Sequence, residues 1–305
     1  MPGNSYLTKL INCEAIVVQP VPMQTARDAN ISIDVLRLDL IHPIISGNKY
    51  FKLKNTINRA LHHHAKGIVS FGGAYSNHLV ALAYLCNALN IPCVGVVRGE
   101  EPRKPSFTLQ DLLKYQMKLH YLPRAAYSEK NQQAQWCADT YPQYIMIPEG
   151  GQSDEGVAGA AEISEYTNEH DYDVICCAVG TGTMMAGLLK SAGAEQKLLG
   201  ISALKIKPEN EIESFIARHG VGRPFSINYD YHFGGYAKST GPLISFMNQL
   251  WREHRVPTDF VYTGKMFYAI SDLAARGYFE SGTRILAIHS GGLQGNRSLK
   301  QALEY

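Results

Sequence analysis

The sequence predicts an α/β protein with two domains, each an open twisted sheet with flanking helices. Short, fully apolar runs such as residues 68–71 and 174–179 alternate with helical patterns of roughly 10–15 residues, the signature of parallel strands joined by crossover helices. Glycine pairs mark the strand-to-helix junctions, Gly72-Gly73 in one half and Gly180-Thr181-Gly182 in the other. At 305 residues the chain is also long enough to divide between two cores. Residues 1–50 with 150–305 are expected to form the larger domain, and 51–149 a smaller α/β domain inserted in it.

In chain order, residues 15–18 and 33–38 read as strands, and Pro20, Pro22 and Pro43 exclude long helices in this part. The stretch Ser46-Gly47-Asn48-Lys49-Tyr50-Phe51-Lys52-Leu53 opens a helical run that continues from 54 to 64. A strand follows at 68–71, a helix at 78–89, an apolar run at 91–97, a helix at 109–117 and a strand at 144–147, ended by Pro148. The second half repeats the style. It has a helix at 157–165, a strand at 174–179, a glycine- and threonine-rich turn into a helix at 184–189, and a strand at 198–204. A helix at 265–275 and a strand at 284–289 close the series, while 208–231 is the least regular part. Residues 260–265 and His289-Ser290-Gly291-Gly292 are read as strand ends.

Composition narrows the function. A formal net charge of +2, with the basic residues scattered, gives no reason to expect nucleic acid or an anionic membrane surface as partner. No apolar run approaches the ~18 residues of a membrane span. Met1-Pro2-Gly3-Asn4-Ser5 lacks the charged and apolar regions of a signal peptide. The six cysteines lie mostly in apolar runs and include no C-x-x-C, so they read as reduced thiols of a cytoplasmic protein.

Physical signals for chemistry sit at the junctions. The turn Gly180-Thr181-Gly182-Thr183 leads from a strand into a helix, whose N-terminus presents free N–H groups and partial positive charge suited to a phosphate. The dinucleotide fingerprint is incomplete, because Gly187 is displaced and no acid stands at the expected strand end, so a monophosphate is preferred. A tight packing turn that binds nothing is the plainer reading. Ser76 and Asn77 serve equally as an N-cap or as a cradle for a carboxylate. Lys49 and Lys52, three apart, fall near one another, so that one amine could meet a carbonyl and the other a phosphate; a lone lysine is ordinarily only a surface charge. His62-His63-His64 point in different directions around a helix and read as its solvated end, and His78 and His289 lack companion ligands for a metal. Tyr236, Tyr262, Thr263 and Ser290 are candidates because ligands collect beyond strand C-termini, although tyrosines also serve as plain packing.

These residues together resemble a known family. Gly47-Asn48-Lys49-Tyr50-Phe51-Lys52-Leu53-Lys54, Gly72-Gly73-Ala74-Tyr75-Ser76-Asn77-His78, Thr181-Gly182-Thr183-Met184-Met185-Ala186-Gly187, Val261-Tyr262-Thr263-Gly264-Lys265 and His289-Ser290-Gly291-Gly292 are similar, in order, to five motifs of the 1-aminocyclopropane-1-carboxylate (ACC) deaminase / D-cysteine desulfhydrase family. The resemblance implies pyridoxal 5'-phosphate as cofactor, the fold type II architecture of the tryptophan synthase β-subunit group, a small amino-acid substrate and a homodimer. It implies that Lys49 carries the Schiff base. Asn77 and Gly180-Thr181-Gly182-Thr183 would hold the phosphate, with Lys52 adding charge and Thr263 and Ser290 near the ring nitrogen. Tyr75, Ser76 and Asn77 would meet the substrate, with Tyr236 and Tyr262 on either side of it and Ser76 among the catalytic groups. Tyr75 stands where the family has glutamine, and Met184 where a hydroxyl is common.

Thr263 decides between reactions. ACC deaminases that resemble this chain carry a glutamate there, which keeps the ring nitrogen protonated and the electron sink strong. A threonine favours loss of a good β leaving group, hence a D-cysteine desulfhydrase-like β-elimination to pyruvate, sulfide and ammonia. ACC deaminase, giving 2-oxobutyrate and ammonia, is the alternative within the enzyme class, and a non-catalytic pyridoxal-phosphate-binding protein is the alternative outside it.

Overall fold

The computed structural model describes residues 7, 9–167, 172–220, 222–299 and 303–305. Residues 1–5, read above for a leader, lie outside the described residues. In chain order the strands are β1 (Val18–Pro20), β2 (Ser32–Arg37), β3 (Gly67–Gly73), β4 (Cys93–Arg98), β5 (Lys118–Leu122), β6 (Tyr144–Ile147), β7 (Val174–Val179), β8 (Lys197–Ser202), β9 (Phe225–Asn228) and β10 (Arg284–His289). They form a six-stranded sheet in the order β1-β2-β10-β7-β8-β9 and a four-stranded sheet in the order β5-β4-β3-β6. Neighbours run parallel except β1 and β2.

Strand order places the site. From β7 the chain winds outward through β8 and β9, then returns to lay β10 on the other side of β7. From β3 it winds through β4 and β5, then returns with β6 on the other side of β3. Each reversal opens a crevice beyond the strand C-termini, because the connections on either side leave toward opposite faces. The crevices are bordered by Val179 and His289 in the large sheet and by Gly73 and Ile147 in the small one.

The helices that matter for this cleft are α1 (Asn48–His62), α2 (Asn77–Ala88), α3 (Asp154–Ala161), α4 (Thr183–Ser191), α5 (Glu211–His219), α6 (Gly241–His254) and α7 (Thr263–Ala275). α1 buries Tyr50, Phe51, Leu53, Ile57 and Ala60 at three- and four-residue spacing, and ends in exposed His62-His63-His64. α3 packs hard on α1: a Cβ at Gly159 would stand 1.9 Å from the Phe51 carbonyl oxygen, so only glycine permits this approach. α2 is apolar nearly all round and is buried accordingly. One apolar cluster runs from Leu53 and Ile57 through Leu79 to Met184, Leu188 and Ile288, tying the two sheets together.

Several elements depart from the sequence reading. Residues 260–262 form a turn rather than a strand end, and Thr263 opens α7, for a reason that lies in Asp259. The stretch 208–231 is more regular than expected. It holds α5, whose N-cap Asn210 accepts from the Ile212 and Glu213 amides (2.9 and 3.2 Å), and the edge strand β9, too short to show a period. β5 has no signal in the sequence, because it is an edge strand with no fully buried residue. The helix read over 109–117 ends at Lys114, and Gln116 takes a positive φ of 59° before β5. Among the described residues no helix is long and apolar enough to cross a membrane.

Candidate active site

A cavity of about 670 Å³ occupies the cleft between the two sheets. Its floor is the start of α1. Gly47, at φ +65°, turns the chain into this helix with its backbone pressed on Ser290; a Cβ there would fall 2.0 Å from the Ser290 carbonyl oxygen. That same oxygen accepts the Asn48 amide at 3.3 Å and the Lys49 Nζ at 3.2 Å. Loss of hydration holds the Lys49 amine down to about 8, against an upward pull from the Asp259 carboxylate. Lys52 lies one turn on and also lines the cavity; burial, then the charge of Lys49, brings it to about 7.

The end of β7 supplies the anion end of the cavity. Gly180, Thr181 and Gly182 line it, and Gly182 caps α4 in a left-handed conformation. The first-turn amides of Thr183, Met184 and Met185 therefore lack intrahelical acceptors, the usual condition for anion binding. Gln152 Nε2 donates to the Thr181 carbonyl at 2.9 Å and holds the loop. The Thr183 hydroxyl is fully buried and shares a 3.0 Å bond with that of Thr181, so it works inside the turn rather than on the cavity wall. Met184, buried at this position, brings its backbone but no hydroxyl.

Opposite stands the start of α2. Ser76 lines the cavity and also caps the helix, its Oγ accepting the Leu79 amide at 3.2 Å. Asn77 Nδ2 donates to the Gly292 carbonyl at 3.3 Å, leaving its Oδ1 buried without a partner. His78 contacts Ser70 Oγ through Nε2 at 2.9 Å. Ser70 donates its own proton to the Ile147 carbonyl (2.8 Å), so His78 must donate from Nε2. Its Nδ1 is then an acceptor, buried and unpaired, on a ring that burial and the nearby Lys52 and Lys49 charges keep neutral, with a pKa of about 3.

Tyr236 and Tyr262 close the remaining wall, their ring centroids 6.1 Å apart at 68°. Burial raises both phenols above the usual range, Tyr262 most. The Tyr262 ring packs on Gly180, and Lys49 Nζ stands 6.0 Å from its centroid. Tyr236 is carried on a loop held by Lys265, whose Nζ donates to the His232 and Gly235 carbonyls, both at 2.8 Å. Thr263 is fully buried behind this wall and does not line the cavity. Its hydroxyl donates to Asp259 Oδ1 (2.8 Å) and accepts from the Asp259 amide (2.8 Å). Tyr75 points outward, 48% exposed, and lines an outer cavity beside the main one.

The cavity thus brings together Lys49, Lys52, Ser76, Asn77, Gly180, Thr181, Gly182, Tyr236, Tyr262 and Ser290, while Thr183, Thr263 and Tyr75 stand outside it. Asp259, Glu149 and Arg98 have no part in the sequence reading, and Lys265 enters it as the last residue of a motif. Asp259 is fully buried and accepts the amides of Val261, Tyr262 and Thr263 at 2.8–2.9 Å, which stops any strand and starts α7. Its signal was an aspartate four residues before a threonine at a helix start. Glu149, just after Pro148, lines the cavity and acts on both tyrosines. Behind Ser290, a buried cluster pins the end of β10. Arg37 donates twice to Asp39 (2.8 and 2.7 Å), and His289 donates from Nε2 to the Pro257 carbonyl at 2.5 Å.

Pyridoxal phosphate fits these residues. Three cavity-lining residues, Asn48, Asn77 and His78, carry buried acceptor atoms without a donor, so a bound group with hydroxyl or N–H functions completes them. The open helix terminus of α4 and Lys52 suit a phosphate, and the Lys49 amine suits an aldehyde. Two open α/β sheets with such a lysine and such a helix end facing one cleft define a fold type II pyridoxal-phosphate enzyme. Residues 18–291 match the family model "Pyridoxal-phosphate dependent enzyme", and the chain belongs to that family.

Its relatives include the mitochondrial bifunctional D-cysteine desulfhydrase/1-aminocyclopropane-1-carboxylate deaminase of Arabidopsis thaliana, 27% identical over 82% of this chain and 70% of that protein. The 1-aminocyclopropane-1-carboxylate deaminase of Burkholderia cenocepacia is 28% identical over 81% of this chain and 82% of its own length. Among solved structures, an ACC deaminase homologue superposes with a TM-score of 0.78 at 26% identity, covering 97% of this chain and 96% of that one.

Proposed function

We propose that the protein catalyses β-elimination and deamination of a small amino acid, with D-cysteine and water giving pyruvate, ammonia and hydrogen sulfide. The observation that carries this choice is Thr263. In the sequence Thr263 takes the place of the glutamate of the ACC deaminases that this chain resembles, and its hydroxyl is committed to Asp259 behind the cavity wall, so this residue offers no carboxylate to a bound ring. The desulfhydrase named for the Arabidopsis relative is consistent with that.

Bound pyridoxal phosphate supplies an aldehyde for amines and a ring that accepts electrons from a bond broken at Cα. Lys49 is the residue for the aldehyde, since its amine is partly unprotonated near neutral pH. When free, the same amine takes or returns the α-proton, steadied by the Ser290 carbonyl. The amides at the start of α4, Thr181, Lys52 and Asn77 would hold the phosphate. Ser76 and the open end of α2 receive the substrate carboxylate. Tyr236 and Tyr262, kept as neutral phenols, place protons near the leaving group and exclude water. Ser290 would lie beside the bound cofactor, and Tyr75, in the outer cavity, would meet only the outward part of a substrate.

ACC deaminase is the second reading, favoured by the name of the Burkholderia relative. Offering D-cysteine, L-cysteine, D-serine and ACC to purified protein, with pyruvate, 2-oxobutyrate and sulfide followed, separates the two. Sulfide and pyruvate from D-cysteine are expected. 2-Oxobutyrate from ACC, without sulfide from D-cysteine, would reverse the order. The homodimer implied by the resemblance is open to sedimentation of the cofactor-loaded protein.

A further inference from the structure

The cleft continues outward into a second cavity of about 650 Å³. The two share Gly73, Arg98 and Tyr236. Three cations line the outer cavity, Arg98, Arg124 and Lys238, and no acidic residue does. Glu149 and Glu211 line only the inner cavity. Among the described residues none of these three cations makes an ion pair or a side-chain hydrogen bond. Arg98 only stacks on Tyr127, its guanidinium carbon 5.6 Å from the ring centroid. It comes from the C-terminal end of β4 and lies over Gly73, three residues before Ser76; a Cβ on that glycine would sit 3.5 Å from Arg98 Nη2. A guanidinium with all its donors unspent, at the mouth of a catalytic cleft, is a fork for an oxyanion. The inner cavity pairs its lysines with the carboxylate of Glu149, whereas the outer one offers cations with no acid beside them, so an additional anionic group belongs on the outward side of the substrate.

We propose that Arg98, supported by Arg124 and Lys238, binds an oxyanion carried on the β-substituent of the substrate. The preferred substrates are then amino acids whose β-leaving group carries an oxyanion, with D-cysteine a smaller substrate that does not reach Arg98. This rests on the elimination reading. For O-phosphoserine the α-proton is removed, and the Cβ–O bond breaks with its electron pair going to the phosphate oxygen. One water is consumed, and pyruvate, ammonia and inorganic phosphate are the products.

The test is calorimetric titration of the cofactor-loaded protein with both enantiomers of O-phosphoserine and of serine, in the wild type, Arg98→Gln and Lys238→Gln. In the wild type, O-phosphoserine of one hand is expected to bind at least about tenfold more tightly than serine of the same hand, with the advantage shrinking in high salt. Arg98→Gln is expected to remove most of that advantage, and the exposed Lys238→Gln part of it. Equal affinity for the two ligands in the wild type, or an unchanged ratio in Arg98→Gln, would overturn the proposal. Pyruvate release from the neutral substrate β-chloroalanine is followed in the same samples. If it is absent while the phosphoserine preference persists, the elimination reading fails and the anion site stands.

Discussion

Lys49 and Ser290 lie 241 residues apart in the chain and meet at 3.2 Å, the lysine Nζ donating to the serine carbonyl. The contact joins the first turn of α1 to the end of β10, and Gly47 makes it possible by lying flat on the same peptide. A neutral carbonyl orients an amine without holding it protonated, which suits a nucleophile. The nearest named counter-charge, Asp259, is engaged by three amides and a hydroxyl.

Lys49→Ala should abolish covalent attachment of the cofactor and lower turnover by at least about a thousandfold, within the range for loss of a positioned proton-transfer group. Borohydride reduction followed by peptide mapping should label residue 49 in the wild type only. Reduced cofactor on another lysine of the variant would move the assignment.

Attachment of the cofactor to cofactor-free protein should speed up with pH. The Lys49 amine titrates near 8, so its unprotonated fraction rises about tenfold between pH 7 and 9. Asp259→Asn removes the carboxylate that favours the ammonium, and the midpoint should move to lower pH. Stopped-flow absorbance at a series of pH values reads both effects, and an unmoved midpoint would show that Asp259 acts only as a cap.

Lys52→Met should weaken cofactor retention yet stabilise the cofactor-free protein. The native amine, near 7, lies below its unfolded value, so the unfolded chain binds more protons between about pH 7 and 10.5. The cost of this buried ammonium is therefore present below pH 7 and fades as pH rises through that window. Thermal melts of the cofactor-free wild type and variant should differ most at pH 6 and converge toward pH 9. Phosphate should stabilise the wild type more than the variant.

Thr263→Val keeps the shape and removes the hydroxyl that bridges the Asp259 amide and carboxylate. A loss of about 1–3 kcal/mol is expected from the buried groups left unpaired, read by chemical denaturation. Thr263→Ser should restore most of it. A threonine that acted on the cofactor alone would change turnover and leave stability unmoved.

Much of this molecule was legible from residue order. Fully buried parallel strands such as β7 are continuous apolar runs, and glycine at the junctions and lysines three apart are local features of the chain. From these the α/β class, the start of α1 and the turn before α4 follow, because propensity, period and helix-end chemistry act over a few residues. What the tertiary structure decided is which of these meet. Glu149 and Arg98 carry no local mark, and their place on the cavity wall depends on how β6 and β4 lie beside β3. Asp259 turned an expected strand end into a helix start by taking three amides. Thr263 turned from the cavity to that carboxylate, and Tyr75 to the outer cavity. The depressed basicity of Lys49 and Lys52 arises from desolvation, with Lys49 adding to it at Lys52 and distant Asp259 opposing it at Lys49, and that burial exists only once the two sheets close on one cleft.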